Sequence, residues 1–118
     1  MAIKGVHALF YSDDPDGTRA FMRDKMQLKN TDTGGGWLIF DFAEADAGIH
    51  PIDHEGAPAS GTHAISFYCD DLEAEVAAMQ GRGVEFLHEI QDHGWGFVTE
   101  FVMPGNVKCQ LYQPKYGK

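Results

Sequence analysis

The sequence predicts an α+β fold: one 118-residue domain made of two βαβββ modules. Three observations predict it. An alternating strand, an acidic cap and an amphipathic helix occur in that order twice along the chain. At a shift of 57 positions, Phe10, Tyr11, Asp13, Asp14, Ala20 and Met22 meet identical Phe67, Tyr68, Asp70, Asp71, Ala77 and Met79, aligning strand, cap and helix together. Between the copies lies DHEGAPASG, residues 53–61, which has turn chemistry and almost no bulky apolar side chain. The first module is therefore expected over 1–52, the connector over 53–61 and the second module over 62–118.

Period-two alternation from Ile3 to Ser12 predicts the first strand. Asp14 followed by Pro15 supplies an N-cap with proline at the first helical position, so a helix is expected from Pro15 to Met26. Leu28–Thr33 and Trp37–Ala43 read as strands joined across Gly34, Gly35 and Gly36, whose permissive φ suits a hairpin, and Ala47–Ile52 as a further strand. After the connector come a strand from Thr62 to Cys69 and a helix from Asp71 to Arg82 with Leu72, Val76 and Met79 on one face, ended by Gly83. Strands are then expected near Val84–Ile90, Trp95–Met103 and Val107–Gln113, with turns at QDHG and MPGN.

With 43% apolar residues, a chain of this length buries a core without disulfide staples. The net charge of −9 argues against nucleic acid and anionic membranes as partners, since both need clustered Lys and Arg. No charged-then-apolar leader and no apolar run of the roughly 20 residues that span a bilayer is present, so a cytoplasmic protein is expected. Cys69 and Cys109 lie in expected strands without CxxC spacing and read as buried thiols. No GxSxG, P-loop or dinucleotide fingerprint occurs.

Register decides what the histidines can do. His7 falls opposite Ala64 in the repeat, and His63 opposite Val6. The helix must cover the more apolar face of its strand, so Val6, Ala8 and Phe10 form the expected core side, with His7, Leu9 and Tyr11 opposite. His63, Ile65, Phe67 and Cys69 then follow the core side, and His63 points away from the side of His7 unless a bulge re-aims it.

Paired βαβββ halves, the opening HALFYSDDP and the closing PGNVKCQLYQP resemble the vicinal oxygen chelate superfamily, which includes glyoxalase I, bleomycin resistance proteins, fosfomycin resistance enzymes and extradiol dioxygenases. The resemblance covers nearly the whole chain. It implies a curved, cup-shaped mixed sheet with helices on its outer face, a small organic molecule held in the cup, and a homodimer. Family enzymes hold one divalent metal (Zn, Ni, Mn or Fe) through side chains from each module's first and last strands. Carried over, those slots fall on His7, His50, Ala64 (with His63 beside it) and Gln110, where metalloenzyme members usually carry Glu.

The departures have consequences. A neutral amide at Gln110 binds a cation more weakly than a carboxylate and cannot accept a proton near neutral pH, so base-assisted isomerisation of the glyoxalase type has no base there. A facial set of two histidines and a carboxylate likewise lacks its carboxylate. Two functions therefore stand open: a metal-free binding protein in the style of bleomycin resistance proteins, and a metal-dependent enzyme in which His7 and His50 ligate, with Gln110 and a re-aimed His63 completing the site. Tyr11, Tyr68 and Tyr112 share the parity of the expected cup face, and Trp95 in HGWGF can wall a pocket, so these four are the candidate ligand-binding residues. His54, His88 and His93 read as solvated turn histidines, and the SDDPD and CDDLE runs as helix caps.

Overall fold

The computed structural model describes residues 7–10, 12–46, 48, 54–60 and 62–116. Its elements, in chain order, are α1 (Pro15–Asp24), β1 (Asn30–Asp32), β2 (Leu38–Phe40), β3 (Ser66–Tyr68), α2 (Leu72–Gly81), β4 (Gln91–Asp92), β5 (Gly96–Met103) and β6 (Val107–Pro114). Strands β1 and β2 form one antiparallel pair, and the other four form a mixed sheet in the order β3-β6-β5-β4. Both helices start as their acidic caps dictate. Asp14 accepts a hydrogen bond from the Gly17 N–H at 3.1 Å, and Asp71 accepts one from the Ala74 N–H at 3.2 Å. Helix α1 stops two residues before the expected Met26, because Gln27 adopts φ 57 and the Leu28 N–H turns back to the Met22 carbonyl at 3.2 Å.

The triple glycine does form the hairpin turn. Gly34, Gly35 and Gly36 all have positive φ, and the Asp32 carboxylate holds the Gly34 N–H at 2.8 Å. Elsewhere the strands are shorter than expected. Residues 7–10 and Ser12 belong to no strand, and the segment from Thr62 enters the sheet only at Ser66, parallel to β6. Residues 84–90 run along the edge of β5 but join it at a single bridge, Phe86 opposite Phe101, backed by the Leu87 N–H on the Glu100 carbonyl at 2.8 Å. The QDHG stretch is more than a turn, since Gln91 and Asp92 pair with Val98 and Phe97 of β5. The expected strand Ala47–Ile52 lies outside the described residues except for Gly48, which is in no strand.

Pleat alternation divides the four-stranded sheet into two faces. On one, Phe101, Met103, Cys109 and Leu111 pack with Met22 of α1, Leu72 and Met79 of α2, and Val84. Phe21 stacks on Phe101 with centroids 6.0 Å apart, and Phe86 meets the same ring edge-on at 5.7 Å. The register opposes Tyr112 to both Tyr68 and Val98, and Gln110 to both Ser66 and Glu100, so these residues share the other face.

Residues 57 apart occupy matching environments. Asp14 and Asp71 both cap helices, Met22 and Met79 both enter the core, and Phe10 stacks on Phe67 at 5.9 Å. The Arg82 guanidinium donates to the carbonyl of Lys25, its own counterpart at that spacing. A second tie joins α1 to the β5–β6 turn: the Thr18 hydroxyl donates to the Pro104 carbonyl and lies 2.8 Å from the Ser12 hydroxyl.

Candidate functional site

The sheet face opposite the helices carries two groups of side chains, one aromatic and one charged. Tyr112 is the hub of the first. It is buried, with the Tyr68 ring 5.8 Å away at 48° and the Trp95 ring 5.2 Å away at 70°. Its hydroxyl lies 3.0 Å from that of Tyr116, and the Tyr68 hydroxyl donates to Glu44 Oε2 at 2.9 Å. Sheet register explains the convergence. Tyr68 and Tyr112 are parallel neighbours, while Trp95 and Tyr116 sit just beyond the paired ends of β5 and β6, where the Lys115 N–H bonds the Trp95 carbonyl at 2.9 Å. Burial, then the Tyr116 hydroxyl, push the Tyr112 phenol up to about 12, so it stays protonated at neutral pH. Burial and the Glu44 carboxylate raise Tyr68 as well. Trp95 and Tyr116 are each almost half exposed, at 44% and 47%.

Two residues along β6, Gln110 stands beside Glu100 on β5. Glu100 is held from both sides: His88 Nε2 lies 3.1 Å from one oxygen and Lys108 Nζ 3.3 Å from the other. His88 Nδ1 faces the Glu89 carbonyl at 2.7 Å, which can only accept a hydrogen bond. A carboxylate stands at the other nitrogen, so both ring nitrogens face hydrogen-bond acceptors. The Glu89 carbonyl and then Glu100 accordingly raise the His88 pKa. Burial pushes the Glu100 carboxyl upward, but His88 and Lys108 together outweigh it and the net shift is downward. His88 is thus no solvated turn histidine, because it ties the 84–90 segment to the sheet.

Of the four aromatic candidates, Tyr68, Trp95 and Tyr112 come together, and Tyr11 lies outside the described residues. Of the metal candidates, His50 also lies outside them. His7 and His63 are exposed and belong to no strand, so the alternation argument for His63 has no pleat to act on, and Gln110 is half-buried in β6. Among the described residues, no three His, Cys, Asp or Glu side chains are grouped to hold a metal ion. The carboxylate opposite Gln110 already meets the Lys108 ammonium and the His88 imidazole, and Gln110 itself supplies no charge. The described residues therefore do not fit a resident divalent metal. Cys109 is buried as expected, whereas Cys69, just past the end of β3, is only partly buried; both are free thiols pushed up to about 11, mainly by desolvation.

Sequence reasoning missed Glu100, His88, Lys108, Glu44 and Tyr116. A signal for Glu100 existed: folding β5 and β6 about MPGN, with Met103 opposite Val107, sets Glu100 opposite Gln110. Nothing local marks Glu44, which reaches Tyr68 across 24 positions of chain.

Residues 4–108 match the family model of the Glyoxalase/Bleomycin resistance protein/Dioxygenase superfamily. Among solved structures, TnmS3, an antibiotic binding protein from Streptomyces sp. CB03234, superposes with a TM-score of 0.68 at 23% identity, over 98% of this chain and 99% of that one. A superfamily member from Sphaerobacter thermophilus gives 0.63 at 18% identity, over 96% and 99%. A lactoylglutathione lyase from Agrobacterium tumefaciens gives 0.57 at 22% identity, over 88% of each chain. A search of curated proteins found no match.

Proposed function

The chain belongs to the Glyoxalase/Bleomycin resistance protein/Dioxygenase superfamily, and from that premise we propose that it binds a small organic molecule on the helix-free face of its sheet. One observation carries this reading: Tyr68 and Trp95 converge on the buried Tyr112 ring, leaving part of the Trp95 indole open to solvent. Aromatic walls with a few placed polar groups suit capture of an organic ligand. That a similar fold belongs to an antibiotic binding protein supports binding as the activity. Gln110, in place of an acid, supports it over metal chemistry. The metal-dependent alternative, drawing on His7, His50 and His63, gains no donor set from the described residues.

The same reading includes two modules, 1–52 and 62–118, joined by 53–61, supported by the matched environments at a spacing of 57. It also includes a homodimer, by analogy with the superfamily, and a cytoplasmic location, from the sequence reading above. No described helix is long and apolar enough to cross a membrane. The test is a panel of aromatic and heteroaromatic compounds titrated by calorimetry, a readout that does not depend on the Trp95 indole. Saturable binding that Trp95→Ala abolishes and Trp37→Ala leaves intact is expected. Binding unaffected by Trp95→Ala would move the ligand elsewhere.

A further inference from the structure

The geometry points to a cationic ligand group, an alkylammonium or similar soft cation, at the aromatic cluster formed by Tyr68, Trp95, Tyr112 and Tyr116 beside Glu44; this rests on the binding reading above and names the class of ligand.

Three features separate a cation from a neutral flat ring. The rings are inclined to one another, with Tyr68 at 48° and Trp95 at 70° to Tyr112. A flat molecule stacks on one such ring at a time, whereas a compact group touches several. All four rings are phenols or indole, the electron-rich aromatics whose faces attract cations most strongly. The Tyr68 hydroxyl donates to a carboxylate at 2.9 Å, which adds electron density to that ring. Glu44 also places a negative charge at the rim, and Asp70 adds another within electrostatic reach of Tyr68.

The protein's own stacked cations are used elsewhere. Arg19 sits over Trp37 at 4.6 Å and Lys115 over Phe97 at 4.7 Å, and neither lies over Trp95 or Tyr112. Lys115, the cation nearest in sequence to the cluster, is further committed to Asp92 at 2.7 Å. With a chain charge of −9, the long-range field draws cations in the same direction.

The test compares choline with its uncharged carbon isostere, in which a tert-butyl group replaces the trimethylammonium, at low ionic strength and by calorimetry, with the Trp95 indole N–H signal of the wild type reporting where each probe binds. Choline should bind at least about tenfold more tightly than the isostere, the scale expected from cation–π contacts with more than one ring. Glu44→Gln should narrow that ratio severalfold, and Trp95→Ala should abolish choline binding in the calorimeter while Trp37→Ala leaves it intact. Equal affinity for the two probes overturns the inference. Indole included as a neutral planar probe keeps the two readings apart. Indole binding at Trp95 without choline binding sinks the cationic ligand and leaves the binding function standing, while no response to any of the three sinks both.

Discussion

Replacing Gly105 with alanine tests how the β5–β6 turn is stitched to helix α1. Gly105 has φ +86, and a Cβ built there overlaps the Ser12 hydroxyl and lies 3.1 Å from the Asp14 backbone nitrogen. Two penalties follow. Holding alanine in the left-handed region costs about 1–2 kcal/mol. Displacing Ser12 breaks its 2.8 Å hydrogen bond to Thr18 and adds about 1 kcal/mol. The sum is about 2–3 kcal/mol, or a fall in melting temperature of about 8–12 °C for a domain of this size. Thermal and urea unfolding of Gly105→Ala, Ser12→Ala and the double variant separate the two penalties. With Ser12→Ala the hydroxyl is already gone, so adding Gly105→Ala should then carry the backbone penalty and the 3.1 Å contacts with the Asp14 nitrogen and the residue 12 Cβ, without the hydroxyl overlap. The coupling between the sites should be about 1 kcal/mol. A single-variant loss below about 0.5 kcal/mol would refute the whole argument. Strict additivity would refute the close approach while leaving the backbone penalty in place.

Phe101→Ala should lower stability by about 3–5 kcal/mol in urea unfolding, because Phe101 is fully buried between Phe21 and Phe86; a loss under about 1 kcal/mol would mean the core packs differently. The His88–Glu100 pair gives stability a pH window. The raised His88 contributes fully below the ordinary imidazole pKa and loses its share as pH rises through the raised value, while the lowered Glu100 contributes above the ordinary carboxyl pKa and loses its share as pH falls through the lowered value. The melting-temperature gap between the wild type and Glu100→Gln should therefore peak between about pH 4.5 and 6.5 and shrink above it, and a gap independent of pH would show that the pair is not ionised as drawn. At pH 7.5, Cys69 and Cys109, raised to about 11, should alkylate on the order of a hundredfold more slowly than an unperturbed thiol; rapid labelling of the folded protein would contradict their burial.

What the sequence made legible is what short-range chemistry governs. Asp14 and Asp71 cap as read, since an acidic residue ahead of a helix needs only the next turn of backbone. The triple glycine turns as read because consecutive positive φ values exclude other residues. Long-range pairing was less legible. Residues 84–90 alternate like a strand, yet Phe86 and Ile90 pack against the core and His88 is drawn to Glu100, so a single ladder bridge forms. A shared face for the aromatic candidates was read by parity, and Tyr68 and Tyr112 do share one because both lie in paired strands. Parity has nothing to act on at His63, where pairing has not begun. The charged group was missed because its parts come from three separate stretches of chain that only the register of β5 brings together.

That register also bears on why Gln110 is neutral. Residues directly opposed across an antiparallel pair have Cβ atoms about 5 Å apart, and like charges so placed repel. Glu100 already occupies the position opposite residue 110, and its two oxygens face His88 and Lys108. An acid at 110 would meet a second carboxylate, with those cations already engaged. One of the two acids would then be driven toward its protonated form. This chain carries its carboxylate at this level of the sheet on β5, tied to an edge segment. There the Glu100 contacts stand beside a neutral amide, and the aromatic group lies two residues further along β6.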